Sequence, residues 1–141
     1  MTAAPFISTF IALALIPVAF LFTHAFLSGR RGLPYHKVTG TVGILWDLSA
    51  SVFYMLYRLV GGNVDSHILD ISPNMVAYFA VHGIVAVVVI ALELTMLATG
   101  LLQWRLKKKF KLHRKLSIPL YVFWFGAFLS GELVYIAYYL L

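Results

Sequence analysis

Four long, predominantly apolar stretches constrain this chain more than any other feature: Pro5–Leu27, Val38–Val60, Met75–Trp104 and Leu116–Leu141. Each meets the roughly 20 residues that an α-helix needs to cross the hydrocarbon core of a bilayer. Little but short connections lies between them, so the 141 residues read as one transmembrane domain. The composition agrees. Hydrophobic residues make up 62% of the chain and charged residues 11%, against an apolar share of roughly 45–50% in a soluble domain. A segment in hydrocarbon must satisfy its own backbone hydrogen bonds, which leaves helices or a closed barrel. A barrel would need short strands of alternating polarity, and none occurs. The predicted fold class is therefore all-α, an integral membrane four-helix bundle.

The first stretch has no charged residue before it and no small-residue cleavage site after it, and it ends at Arg30–Arg31. It reads as a retained span rather than a signal peptide. The chain has no cysteine, which removes disulfides, thiolate metal sites and covalent haem attachment. Any metal chemistry rests on histidine or carboxylate.

Of eleven Lys and Arg residues, all but Arg58 fall in two places, Arg30, Arg31 and Lys37 after the first span and Arg105 through Lys115 after the third. Alternating spans put these two loops on one side. The positive-inside rule makes that side cytoplasmic and predicts both termini, with the loop Gly61–Pro73, outside. Lys107–Lys108–Lys109 reads as an orientation signal that also meets anionic headgroups, at about 1 kcal/mol per charge. Nucleic acid is excluded as a partner, because a basic loop flanked by spans presents no folded readout element.

The two halves look alike. Each is a span, a basic loop, a His followed by a cation, and a second span, with Tyr35–His36–Lys37 answering Leu112–His113–Arg114. Such an arrangement would relate the halves by an axis along the membrane normal. Pro34 sits where a helix can begin, Pro119 is expected to do the same for the last span, and Pro17 is expected to kink the first. Gly40 and Gly43, and Gly126 with Ser130, offer small surfaces for close helix contact. Trp46, Trp104, Trp124, Tyr135, Tyr138 and Tyr139 read in part as an interfacial belt, the deeper ones as packing.

Ionisable side chains within spans are costly and face the interior, pair or mark a functional path. Here they are His24, Asp47, His82, Glu93 and Glu132. A spacing of eleven residues is about three helical turns, so His36, Gly43, Asp47 and Tyr54 share one face of the second helix, as His82 and Glu93 do on the third. The two polar stripes should face each other. Counting depth from the basic loops pairs Asp47 with Glu93 near mid-membrane, and His82 with Glu132 toward the outer leaflet. These carboxyls are expected to specify packing through a shared proton or to serve a proton relay or quinone contact. His67, between Asp65 and Asp70 in the outer loop, is assigned no role.

His24, His36 and His113 gather at the basic end. Imidazoles projecting from facing helices are how bundles hold metals and cofactors. Haem b would take His36 and His113 from opposite sides, with Lys37 and Arg114 for the propionates. A small metal, for which copper is suited, would use His24, His36 and His113 together. Spacing leaves both alternatives open.

The run His113–Arg114–Lys115–Leu116, with Pro119, Trp124, Gly131, Val134–Tyr135 and Tyr139, resembles the end of the CtaM/YozB-like family of small four-helix bacterial membrane proteins, once grouped as a domain of unknown function. His36–Lys37 and His82 are similar to that family's other recurrent histidines, so the resemblance covers roughly residues 29–141. Where the family ends in a Thr–Gly pair, this chain has Ser130–Gly131 followed by Glu132. The resemblance implies a role in maturation of haem-copper cytochrome oxidases, a non-enzymatic handling of haem or copper, and transfer of that role to His36, His82 and His113.

Three functions follow as expectations. The first is an accessory protein of respiratory oxidase assembly in a bacterial or archaeal cytoplasmic membrane, with other membrane subunits of a respiratory complex as partners. The second is a small b-type cytochrome or quinone-interacting subunit of an electron-transfer complex. The third is a purely structural subunit. An enzyme is not expected, since no nucleophile with a base at useful spacing, phosphate loop or His–Glu–x–x–His motif occurs.

Overall fold

The structure, a computed structural model, describes residues 5–60 and 72–141. Asp65, His67 and Asp70 lie outside the described residues. Four helices long and apolar enough to cross a membrane account for nearly all of the rest. They are α1 (Phe6–Arg30), α2 (His36–Leu59), α3 (Pro73–Leu106) and α4 (Lys111–Tyr135), and α4 runs on into a π-helical turn at Ile136–Leu140. By length and composition this is a multi-pass membrane protein.

The helices form two hairpins, α1 with α2 and α3 with α4. The hairpins meet along α1–α4 and, more sparsely, along α2–α3. The tight connection in the first hairpin is written in its glycine. Gly32 has φ +69°, its N–H donates to the Gly29 carbonyl at 3.1 Å, and the Leu33 N–H donates to Ser28 at 2.9 Å. That pair of bonds ends α1 in a Schellman motif, with glycine at the left-handed position where a side chain costs about 1–2 kcal/mol. The second hairpin makes its reversal with Lys107 at φ 51°. The Gln103 side chain of α3 then accepts the Phe110 N–H at 2.7 Å, holding the start of α4 against the end of α3. At its other end α3 opens on Ser72, whose hydroxyl accepts the Met75 N–H, with Pro73 in the first turn.

The predicted spans match the observed helices, overrunning them by one residue at Pro5, Val60 and Leu141, and several other boundaries move. α4 begins at Lys111, so Pro119 is internal rather than initial. Charged residues continue a helix past the hydrocarbon because helix propensity does not depend on the membrane boundary, and Lys and Arg are good helix formers. α1 likewise runs through Pro17 to Arg30. At 34 residues, α3 is about 51 Å long, well beyond a hydrocarbon core of about 30 Å.

The interior is thin. Val18 and Phe22 of α1, Ile44 of α2, Val89 of α3, and Leu120 and Trp124 of α4 form the buried cluster. Trp124 is its centre, edge-on to Phe22 at 4.9 Å and stacked on Phe128 at 5.0 Å. Gly43 lets α2 approach α1, since a Cβ there would lie 2.7 Å from the Phe22 ring. Gly126 has no such purpose, because a Cβ would meet nothing within 4 Å. Among the aromatics expected at interfaces, Trp104 is exposed while Trp124 and Tyr139 are core. The π-helical turn carries buried Tyr139 beside Tyr135, with ring centroids 5.4 Å apart.

Candidate functional site

The four described histidines share one arrangement, built from backbone carbonyls. His36 opens α2, and its Nδ1–H donates to the Leu33 carbonyl at 2.6 Å. A carbonyl can only accept, so in the neutral ring the proton is on Nδ1 and the lone pair on Nε2. His113 reaches the same state through a hydroxyl. Thr99 gives its proton to the Thr95 carbonyl at 2.7 Å and accepts the His113 Nδ1–H at 2.8 Å. His82 does so through Ser130, which donates to Ala127 at 2.9 Å and accepts from Nδ1 at 2.7 Å. His24 does so through Thr39, which donates to Tyr35 at 3.2 Å and accepts at 3.0 Å. Each ring can thus turn Nε2 to a ligand, although the Met96 carbonyl also lies within hydrogen-bonding reach of the His113 ring. An Nδ1–H held by an oxygen is the usual support of a metal-binding imidazole.

Glycines seat three of these rings. A Cβ on Gly29 would stand 3.4 Å from His36, one on Gly100 3.1 Å from His113, and one on Gly131 3.5 Å from His82. His36 and His113, which correspond between the two halves of the sequence, therefore also correspond in their seats. Each packs on a glycine of the preceding helix. They are close enough to interact electrostatically, and Lys37 and Arg114, both exposed, follow them directly in the chain.

Three sequence expectations are corrected. His24, His36 and His113 do not form a compact ligand set, since among the described residues no group of three His, Cys, Asp or Glu could hold a metal ion. His24 is exposed and turned to Thr39. His82, grouped with His36 and His113 by the resemblance alone and set by its depth toward the other end, is not part of the basic-end site. Seventeen residues of α3 separate it from Thr99, about 25 Å along the axis. Glu132 is half-buried and is not the partner of His82, which bonds Ser130 instead. Two residues along a helix is a turn of about 200°, so only one of Ser130 and Glu132 can face α3.

The contact expected between Asp47 and Glu93, by contrast, does form. Glu93 is 0% and Asp47 3% exposed, and the Asp47 carboxyl lies against Glu93, Trp124 and Ser51. Among the described residues neither carboxyl oxygen of Glu93 has a donor. Two carboxylates are both acceptors, and in contact they cannot both be ionised in an apolar interior. One proton between them supplies the missing hydrogen bond. Tyr54, on the same face of α2, instead accepts a bond from Arg58 at 3.2 Å.

The sequence reading missed Thr39 and Thr99 and took Ser130 only as a small contact surface, although each stands on a helix packed against its histidine. A Ser or Thr at helical spacing commonly bonds its own backbone, and nothing in the sequence marks those that also accept an imidazole.

No protein-family description, curated protein or solved structure matches this chain. The class defined by fold and site is a small, all-α bundle of four membrane-length helices with hydrogen-bonded histidines at both ends.

Proposed function

We propose that the chain is a non-enzymatic accessory protein of haem-copper oxidase assembly that holds haem through His36 and His113. The observation that carries this is the Nδ1–H anchoring of both rings, one from each hairpin at the same end of the bundle. The glycine seats at Gly29 and Gly100 fit the proposal, because a side chain at either would press on the ligand ring. Two imidazoles without a third ligand suit a planar group bound from two sides better than copper, which would need a fuller protein ligand set. His36 and His113 would hold the haem, which would supply its redox-active iron. Lys37 and Arg114 are positioned in sequence to neutralise its propionates. The proposal sets the basic end in the cytoplasm and the termini outside, on the positive-inside rule.

The test is an absorption spectrum of gently extracted protein with and without added haem. A Soret band that depends on His36 and His113, and not on His24 or His82, supports the proposal. No Soret band in the wild type overturns it. A band that survives purification and changes reversibly in a reduced-minus-oxidised spectrum indicates instead a resident b-type cytochrome of an electron-transfer complex.

A further inference from the structure

Where α1 meets α4 at the basic end there is a cleft of about 340 Å³, lined by Arg30 of α1 and by Lys111, Arg114, Lys115 and Ile118 of α4. Its cations come from different hairpins. Among the described residues none of the four is in an ion pair. The acids of the described segments, Asp47, Glu93 and Glu132, all lie deeper in the spans. Like charges brought together across a helix seam oppose the docking of the hairpins, unless an anion stands between them. α4 adds to the same field, since its first turn has no side-chain cap and carries the positive end of the helix dipole.

The cleft also changes polarity with depth. Lys111, Arg114, Lys115 and Ile118 lie on one face of α4 at spacings of three and four, so the apolar residue is the deepest. Below them the seam is closed by aromatic rings. Phe26 stacks on Tyr121 at 4.4 Å, the Arg30 guanidinium lies 5.8 Å above the Phe26 ring, and the Tyr121 hydroxyl meets Thr23 at 3.1 Å. Cations at headgroup level over an apolar wall match a molecule that is itself anionic at one end and hydrocarbon at the other.

We propose that this cleft binds the phosphate of an anionic phospholipid, whose headgroup bridges Arg30 to Lys111, Arg114 and Lys115 and so joins the two hairpins. Basic pockets between transmembrane helices are where such headgroups bind. The inference shares only Arg114 with the haem proposal, and that residue is left unaltered in its test, so either proposal can fail without the other.

The experiment compares the full chain in bilayers of phosphatidylcholine alone and with phosphatidylglycerol, reading retained lipid by native mass spectrometry and thermal unfolding in each. The variant is R30Q/K111Q/K115Q. The control, K107Q/K108Q/K109Q, removes the same charge outside the cleft. The wild type is expected to retain phosphatidylglycerol and to melt higher in its presence, and the cleft variant to lose at least about tenfold more affinity than the control. In phosphatidylcholine alone the cleft variant should melt close to the wild type, because the repulsion it loses offsets the lost Arg30–Phe26 contact. Equal losses in the two variants would mean diffuse surface attraction and would overturn the proposal. So would inorganic phosphate producing the whole shift in phosphatidylcholine, which would make the ligand a free anion.

Discussion

Asp47 of α2 and Glu93 of α3 meet carboxyl to carboxyl in the interior, at 3% and 0% exposure, across the sparsest seam of the bundle. Among the described residues no cation lies against either of them. The pair therefore acts as a hydrogen bond only while it holds a proton.

An infrared spectrum of the wild type should show the carbonyl band of a protonated carboxylic acid, and Glu93→Gln should remove or shift it. Asp47→Ala leaves Glu93 buried alone and should cost about 1–3 kcal/mol of stability. The double variant Asp47→Asn/Glu93→Gln restores a donor and an acceptor, and should stay within about 1 kcal/mol of the wild type. A wild type without the acid band would show that the pair carries no proton.

Thr99 has no ligating atom in the haem proposal, yet it fixes the tautomer of His113. Thr99→Val keeps the shape and removes the acceptor, and should weaken haem binding by about 10–100-fold. Ser130→Ala does the same to His82, at the other end of the bundle, and should leave haem titrations unchanged. Equal effects from both would discredit the basic-end site.

At Gly43 α2 lies close against α1. The Cβ of Gly43→Ala would stand 2.7 Å from the Phe22 ring, and Phe22 is itself wedged against Trp124. The ring has little room to yield. Overpacking of this kind costs about 1–3 kcal/mol, and the loss should appear as a lower midpoint in detergent unfolding. Gly126→Ala, which meets nothing, should be neutral there.

The two reversals at the basic end differ in one residue type at the same backbone conformation. Gly32 has φ +69° and Lys107 φ 51°. Gly32→Ala should destabilise by about 1 kcal/mol, and Lys107→Gly should stabilise by a similar amount. Thermal melts of the two variants should therefore move in opposite directions.

The topology was legible because it rests on quantities local to the chain. Length and apolarity define each span, and the placement of Lys and Arg pairs the loops. The Asp47–Glu93 contact was legible too, since a polar residue on an apolar helix reports which way that face turns. The apolar residues report nothing of the kind. Lipid is as apolar as the bundle interior, so Val18, which is buried, and Val81, which is exposed, look the same in sequence.

The sequence by itself thus determined four membrane-length helices, their grouping into hairpins, the basic end and the depth of the buried acids. Only the tertiary structure decided the choices that depend on helix rotation. It turned Ser130 rather than Glu132 toward His82, swung His24 away to Thr39, and set Gly29 and Gly100 beneath His36 and His113. A residue's depth is a count along one helix. Its partner depends on the relative rotation of two helices, where an error of one residue is about 100° and changes the neighbour.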